Sequence, residues 1–401
     1  YVLITYISWL GRSAMRRKLT FYAGSLFWPA LIFTAFIMFG FFYGVGTGGD
    51  LRIAIWEGRS IFYLLNLLVL VSNLITKREH VSHLMWAIMI ALFIEGLSGI
   101  YFYVVMLEGD LSQVGSITTH PAAIHMNTMF VFVIAVWLYK GSQVKRIILP
   151  LLIPAVAFTY IATQRRAAFL SLALALFIFA FFVYKENRHL FWFIMPPIAL
   201  IGVLYLGAFW NATGALGMPA QAVKGIVAPE QASLADRGSD LYRVLENYNT
   251  SVTIHARPLT GVGFGQKFYM VAALPDISFF EFWEYITHNS IMWIWMKSGV
   301  GGFLSMIFLV GYAIVLGIRV LWQMPGGDMS AVVLTAVLYL FMHFIFAYVD
   351  MSWGPQSMIY VGTAMGLINS MEKIVAAPIT LPPKRWSWQP TPVKPPGLKP
   401  L

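Results

Sequence analysis

The sequence predicts an all-α protein, a polytopic transmembrane helix bundle of about 11–12 spans with a helical loop region over its outer mouth. Three observations predict it. Of 401 residues, 59% are hydrophobic and 11% charged, whereas a soluble domain carries about 25% charged residues. Mean hydropathy is +0.72, and the apolar residues gather in runs of about 20, the length of helix that crosses a ~30 Å hydrocarbon core. One long mixed segment, 211–284, interrupts those runs. The chain has no cysteine, which removes disulfides, thiolate catalysis and zinc-thiolate or iron–sulfur sites. Its net charge of +10 would suit a nucleic-acid partner or a membrane topology signal, and the distribution of the charge decides between them.

Apolar runs bounded by charges place spans at about 20–46, 59–75, 81–107, 120–139, 147–163, 167–184, 189–210, 299–321, 329–348 and 355–371, with 1–10 a further fragment. No cleavable signal peptide opens the chain, and Tyr1 reads as the first residue of a segment from a longer one. Basic residues accumulate in cytoplasmic loops. With 11–19 inside, strict alternation puts 17 of the 27 basic residues in the cytoplasm, from Arg12 and Arg16 through Lys77, Lys140, Lys145 and Arg319 to the tail. Most acids fall outside, including seven carboxylates between 211 and 284. The positive balance is therefore mainly a topology signal; no soluble basic stripe with interleaved aromatics points to nucleic acid. The expected organisation is N-terminal spans over 1–210, an outer loop region over 211–284, C-terminal spans over 285–372 and a Pro-rich, basic, disordered cytoplasmic tail over 373–401.

Within 211–284, Leu241, Val244, Leu245, Tyr248 and Val252 recur at helical spacing, with Asp240, Arg243, Asn247 and Thr250 on the opposite face. This predicts an amphipathic helix at about 239–255 over the bundle mouth. The glycine-rich turn Pro258-Leu259-Thr260-Gly261-Val262-Gly263-Phe264-Gly265 follows. The next apolar run is too long for one ordinary span and is divided at Gly299, Gly301 and Gly302, so a short helix at about 288–298 is expected before the true span.

Arg165 and Arg166 sit in a short outer connection, where the positive-inside rule does not explain them. Interfacial anchoring to lipid phosphates accounts for such a pair. So does an anion site, because guanidinium forks match phosphate oxygens two at a time. Arg243 lies on the polar face of the external helix, where a solvated charge is the ordinary reading, and Arg237, Arg257 and Lys267 share that reading. Together such cations would concentrate an anionic amphiphile over the bundle. His288, before the short helix, is either a capping residue or a proton acceptor suited to neutral pH. His120 and His125 lack the glutamate and third ligand of a zinc site. Glu95, beside Gly96 and Gly99, is a functional suspect or a packing residue within a span. Gly261-Val262-Gly263-Phe264-Gly265 has no nucleotide-binding context.

Three of these pieces, in order, resemble the O-antigen ligase and polymerase superfamily of polytopic bacterial glycosyltransferases. Gln164-Arg165-Arg166-Ala167-Ala168-Phe169-Leu170 looks like the family's Ser-Arg-small start of a span, with Arg165 in place of Ser. Arg243, fifteen residues before Pro258-Leu259-Thr260-Gly261-Val262-Gly263, matches a loop arginine before a Pro-Leu-x-Gly-x-Gly turn, without the usual Trp after it. His288-Asn289 with Gly299 and Gly302 resembles a His-Asn helix followed by Gly-x-x-Gly. The match covers about 160–320.

The resemblance implies a bacterial inner-membrane enzyme with a periplasm-facing site. It would move a glycan from undecaprenyl diphosphate to lipid A-core (a ligase) or to another carrier-linked repeat (a polymerase), inverting and without a metal or other cofactor. Arg166 and Arg243, with Arg165 assisting, would bind the diphosphate, and His288 would act as general base. Buried arginines and a broken helix would also suit an anionic-lipid transporter, but the inverted-repeat symmetry expected of one is not visible.

Overall fold

A computed structural model of the chain describes residues 2–15, 17, 21–110, 116–119, 121–212, 214–231, 234–277 and 279–376. Arg16, Lys18, His120 and the Pro-rich tail from Pro382 lie outside them. The described residues form thirteen α-helices and no strand. In order these are α1 Val2–Met15, α2 Phe27–Gly46, α3 Leu51–Leu74, α4 Arg78–Tyr101, α5 Ala122–Leu138, α6 Gln143–Ala162 and α7 Arg166–Glu186. There follow α8 Arg188–Phe209, α9 Met218–Val227, α10 Leu234–Ala256, α11 Ser290–Trp322, α12 Asp328–Val349 and α13 Pro355–Ala376.

Eight helices are long and apolar enough to cross a membrane: α2, α3, α4 with its π-helical extension to Met106, α6, α7, α8, α11 and α12. The chain is a multi-pass membrane protein. α5 is equally apolar but has 17 residues, and it packs with α13 inside the same bundle. α3 starts earlier than hydropathy placed it. Asp50 caps it by accepting the Ile53 N–H at 3.0 Å, so Arg52, Glu57 and Arg59 are drawn into a helix that their charges had hidden.

The core runs along α12, whose apolar residues from Ala331 to Leu340 are almost entirely buried. α8 buries no residue and lies at the periphery, against α7. Contacts between connections divide the bundle into two ends. At one, Ser142 N–H and Lys145 Nζ both donate to Asp328, at 2.7 and 2.8 Å, and Gly327 N–H donates to Tyr139 O. At the other, Asp50 N–H donates to Gly265 O, and the start of α7 meets α9 and α10. The site described next lies at this second end, called the α10 end.

Candidate active site

At the α10 end, α6 gives way to α7 through a tight reversal in which Gln164 takes a left-handed conformation, φ 54°. Arg165 is thereby the N-cap residue of α7 and Arg166 its first residue. Cations are unfavourable beside the positive end of a helix dipole. No acid occupies the first turn and no side chain caps it. Two arginines together with open backbone N–H groups make a place for an anion.

The amphipathic helix expected at 239–255 is present as part of α10, with its polar side turned toward the protein. Leu241, Val244 and Tyr248 are 57%, 63% and 54% exposed, whereas Glu246, Asn249, Thr250 and Thr253 are buried. A helix that buries its polar face against a membrane bundle is holding polar groups for a purpose, because each one buried unpaired costs roughly 1–3 kcal/mol. Asn249 explains part of it: its side-chain oxygen accepts the N–H groups of Val271 and Ala272, and its amide donates to Ala272 O at 2.8 Å. Thr253 Oγ1 accepts the Tyr269 N–H at 2.8 Å. These bonds fix the chain after the glycine-rich turn.

The rest of that face forms the site. Asp240 stands between two arginines, 3.2 Å from Arg166 Nη2 and 3.8 Å from Arg243 Nη1. Arg165 lies within range of the same charges. Burial lowers its guanidinium below its ordinary value; buried Asp350 pulls it back up, and the like charge of Arg243 pushes it further down. The Nε atoms of Arg165 and Arg243 are buried and have no hydrogen-bond partner among the described residues. Arg166 and Arg243 share Asp240, Arg165 is influenced by Asp350, and the unused Nε donors of Arg165 and Arg243 leave this cationic cluster able to take an anion.

One turn along α10 from Arg243, Glu246 is 1% exposed. It accepts the His288 backbone N–H at 2.8 Å and lies 3.0 and 3.2 Å from His288 Nδ1. A carboxylate can only accept, so Nδ1 carries the hydrogen and Nε2 is the basic nitrogen. The Tyr242 ring meets the imidazole edge-on, with centroids 5.5 Å apart. Burial and the Glu246 charge raise the Tyr242 hydroxyl pKa, so it stays a neutral donor. His288, Tyr242, Arg243 and Glu246 line one side of a cavity of about 500 Å³.

His288 is held from below by the broken helix. α11 is interrupted at Gly299, φ 69° and ψ −175°, so the expected short helix and span are joined by a kink. A Cβ on Gly299 would stand 2.0 Å from Leu259 O, and one on Gly263 would stand 2.2 Å from Gly44 Cα. The glycine-rich turn is thus a joint between α2 and α11. Beneath it, Lys297 and Glu57 form an ion pair at 2.9 Å with both side chains 0% exposed. Glu57 also accepts the Gly265 N–H at 2.6 Å, and Lys297 donates to Gln266 O.

The structure therefore brings Arg165, Arg166, Arg243 and His288 to one end of the bundle. It leaves the other loop cations elsewhere: Arg237 donates to Glu230 O, Arg257 to Tyr43 OH, and Lys267 pairs with Glu284. His125 is stacked on Tyr360 at 4.2 Å and hydrogen-bonded to Ser357. Glu95 is half-buried on α4, beside Gly96 at the contact with α6. Sequence reasoning missed Glu246, Tyr242 and Asp350. Glu246 carries a signal, its place at i+3 from Arg243, but it falls outside both the apolar stripe and the polar set of the helix.

Residues 151–307 match the O-antigen ligase family. The matched stretch runs from α6 through α10 into α11, contains all four expected site residues and Glu246, and supports the superfamily resemblance read over about 160–320. No curated protein matches the chain.

Proposed function

We propose that this O-antigen ligase-family chain transfers a glycan from undecaprenyl diphosphate to lipid A-core at the periplasmic face of a bacterial inner membrane. The observation that carries the reading is one cavity lined by Arg243 and the Glu246–His288 pair, with Arg166 joined to Arg243 through Asp240 and Arg165 close by. Transfer of a diphosphate-linked sugar needs both parts. The acceptor hydroxyl attacks the anomeric carbon with inversion, its proton passing to His288 Nε2. The bond from that carbon to the diphosphate oxygen breaks, and the electron pair leaves on the diphosphate. Arg166 and Arg243 bind the diphosphate and stabilise the charge that grows on it, with Arg165 assisting, as preorganised cations do. Glu246 holds the imidazole in the tautomer that accepts the proton and stabilises the imidazolium formed.

The test is transfer of purified undecaprenyl-diphosphate glycan to lipid A-core in detergent, with His288→Ala, Arg166→Ala and Arg243→Ala beside the parent. Transfer by the parent and its loss in His288→Ala are expected. A parent that lengthens carrier-linked glycan and ignores lipid A-core would make the enzyme a polymerase, and full activity in His288→Ala would remove the general base.

A further inference from the structure

The 500 Å³ cavity has two unlike walls. One is the polar side of α10 with His288. The other is a strap, residues 277 and 279–286, that presents Ile277, Phe279, Phe280, Trp283 and Ile286. Next to these, Phe282 turns away from the cavity and stacks on Trp56 of α3, centroids 3.8 Å apart and planes at 12°. Phe280 meets Phe282 edge-on at 5.7 Å, and Trp283 N–H donates to Phe280 O. Phe268 N–H donates to Glu284 O, while Lys267 pairs with the Glu284 side chain. Phe280 and Trp283 are therefore held in place before any ligand arrives.

The opposite wall carries polar atoms with nothing to bond. Tyr242 is 8% exposed and its hydroxyl is buried without a partner among the described residues, as is Arg243 Nε. An isoprenoid chain against the aromatic wall would leave those buried donors unpaired, which is costly. A pyranose ring satisfies both walls, because its C–H faces are apolar and its rim carries hydroxyls. The volume lies within the ~300–1,000 Å³ common for small-molecule sites.

We propose that the strap is the acceptor subsite. A sugar ring of the acceptor stacks on Trp283 and Phe280, its rim bonds to the Tyr242 hydroxyl, and its nucleophilic hydroxyl is thereby brought to His288. The assignment rests on the transferase reading above. It makes the strap and the facing Tyr242 together the part of the chain that selects the acceptor, because a site built to bond hydroxyls rejects a ring that lacks them.

The experiment is steady-state transfer to lipid A-core by Trp283→Ala, Phe280→Ala, Tyr242→Phe and the conservative Trp283→Phe. It is paired with saturation-transfer NMR on core oligosaccharide added to each protein in nanodiscs. Loss of a stacking ring is expected to raise the acceptor KM about tenfold with donor KM unchanged, Trp283→Phe staying near the parent. Sugar-ring protons should receive saturation from the parent and lose it in Trp283→Ala. A rise in donor KM with acceptor KM unchanged would assign the wall to the isoprenoid and overturn the proposal, as would unaltered KM values and saturation in both alanine variants. A parent that transfers nothing would sink the transferase reading, and the NMR comparison would then decide the wall alone. Unfolding of an alanine variant is recognised by its thermal transition, and Trp283→Phe and Tyr242→Phe then carry the comparison.

Discussion

At the scale of single residues, the proposed mechanism gives His288 and Glu246 to the chemistry alone, and Arg166 and Arg243 to donor binding as well as to the leaving group. His288→Ala removes the proton acceptor, and kcat should fall by about 10²–10⁴, the usual worth of general-base catalysis, while donor affinity stays. Glu246→Gln keeps the size but loses the charge that orients the imidazole. A hydrogen bond to a charged group is worth about 1.5–3 kcal/mol, so kcat should drop roughly 10- to 100-fold. Equal activity in Glu246→Gln and the parent would make Glu246 a mere cap on the His288 backbone. Arg166→Ala and Arg243→Ala should instead weaken binding of the diphosphate donor, each by about 10- to 100-fold, read by titration with donor in nanodiscs. Arg166, Arg243 and His288 were legible because they fall at motif spacings. Asp350 was not, because nothing near it in sequence says that the α12–α13 connection passes beneath Arg165. Its oxygens also tie that connection down, Oδ1 accepting the Met351 N–H and its main-chain O accepting Ser290 Oγ at the start of α11.

At the scale of elements, periodicity gave the right helices and not always their facing. In water, an apolar stripe at helical spacing turns inward because burial there is favourable. Beside a membrane the rule loses its sign, since lipid is as good a partner for Leu241 and Val244 as protein is. That is why α10 buries Glu246, Asn249 and Thr253, and why no reading of the stripe alone could place Glu246 opposite His288. The kink was legible for the opposite reason: an apolar run too long for one span must break, and glycine marks where. Its clamp was not, because Glu57 and Lys297 are 240 residues apart and each reads alone as an unpaired charge outside the spans. Removing one partner leaves the other charged in a dry interior, a loss of about 3–5 kcal/mol. Lys297→Met should therefore lower the thermal transition in detergent sharply, and Glu57→Gln combined with Lys297→Met should recover much of it. A single variant as stable as the parent would show that water reaches the pair.

At the scale of the whole molecule, the proposed donor chemistry depends on which side of the membrane the α10 end faces. The two ends carry different charges. Lys77, Arg78, Lys140, Lys185, Arg188 and the Lys145–Asp328 pair gather at the end away from α10, whereas at the α10 end cations are matched by acids, Arg166 and Arg243 by Asp240, Arg52 by Glu281 and Lys267 by Glu284. An excess of cations in short loops marks the cytoplasmic side, and arginines kept on the other side against that rule need another reason to be there, which a diphosphate supplies. Because the chain has no cysteine, single substitutions report sidedness without background. Leu259, 74% exposed, stands at the α10 end, and exposed Lys77 at the other. A membrane-impermeant maleimide should label Leu259→Cys in intact spheroplasts and Lys77→Cys only after permeabilisation. The reverse pattern would turn the site toward the cytoplasm, where lipid A-core awaiting a periplasmic glycan is out of reach. The arginine cluster would then have to be read as a site for a different phosphate.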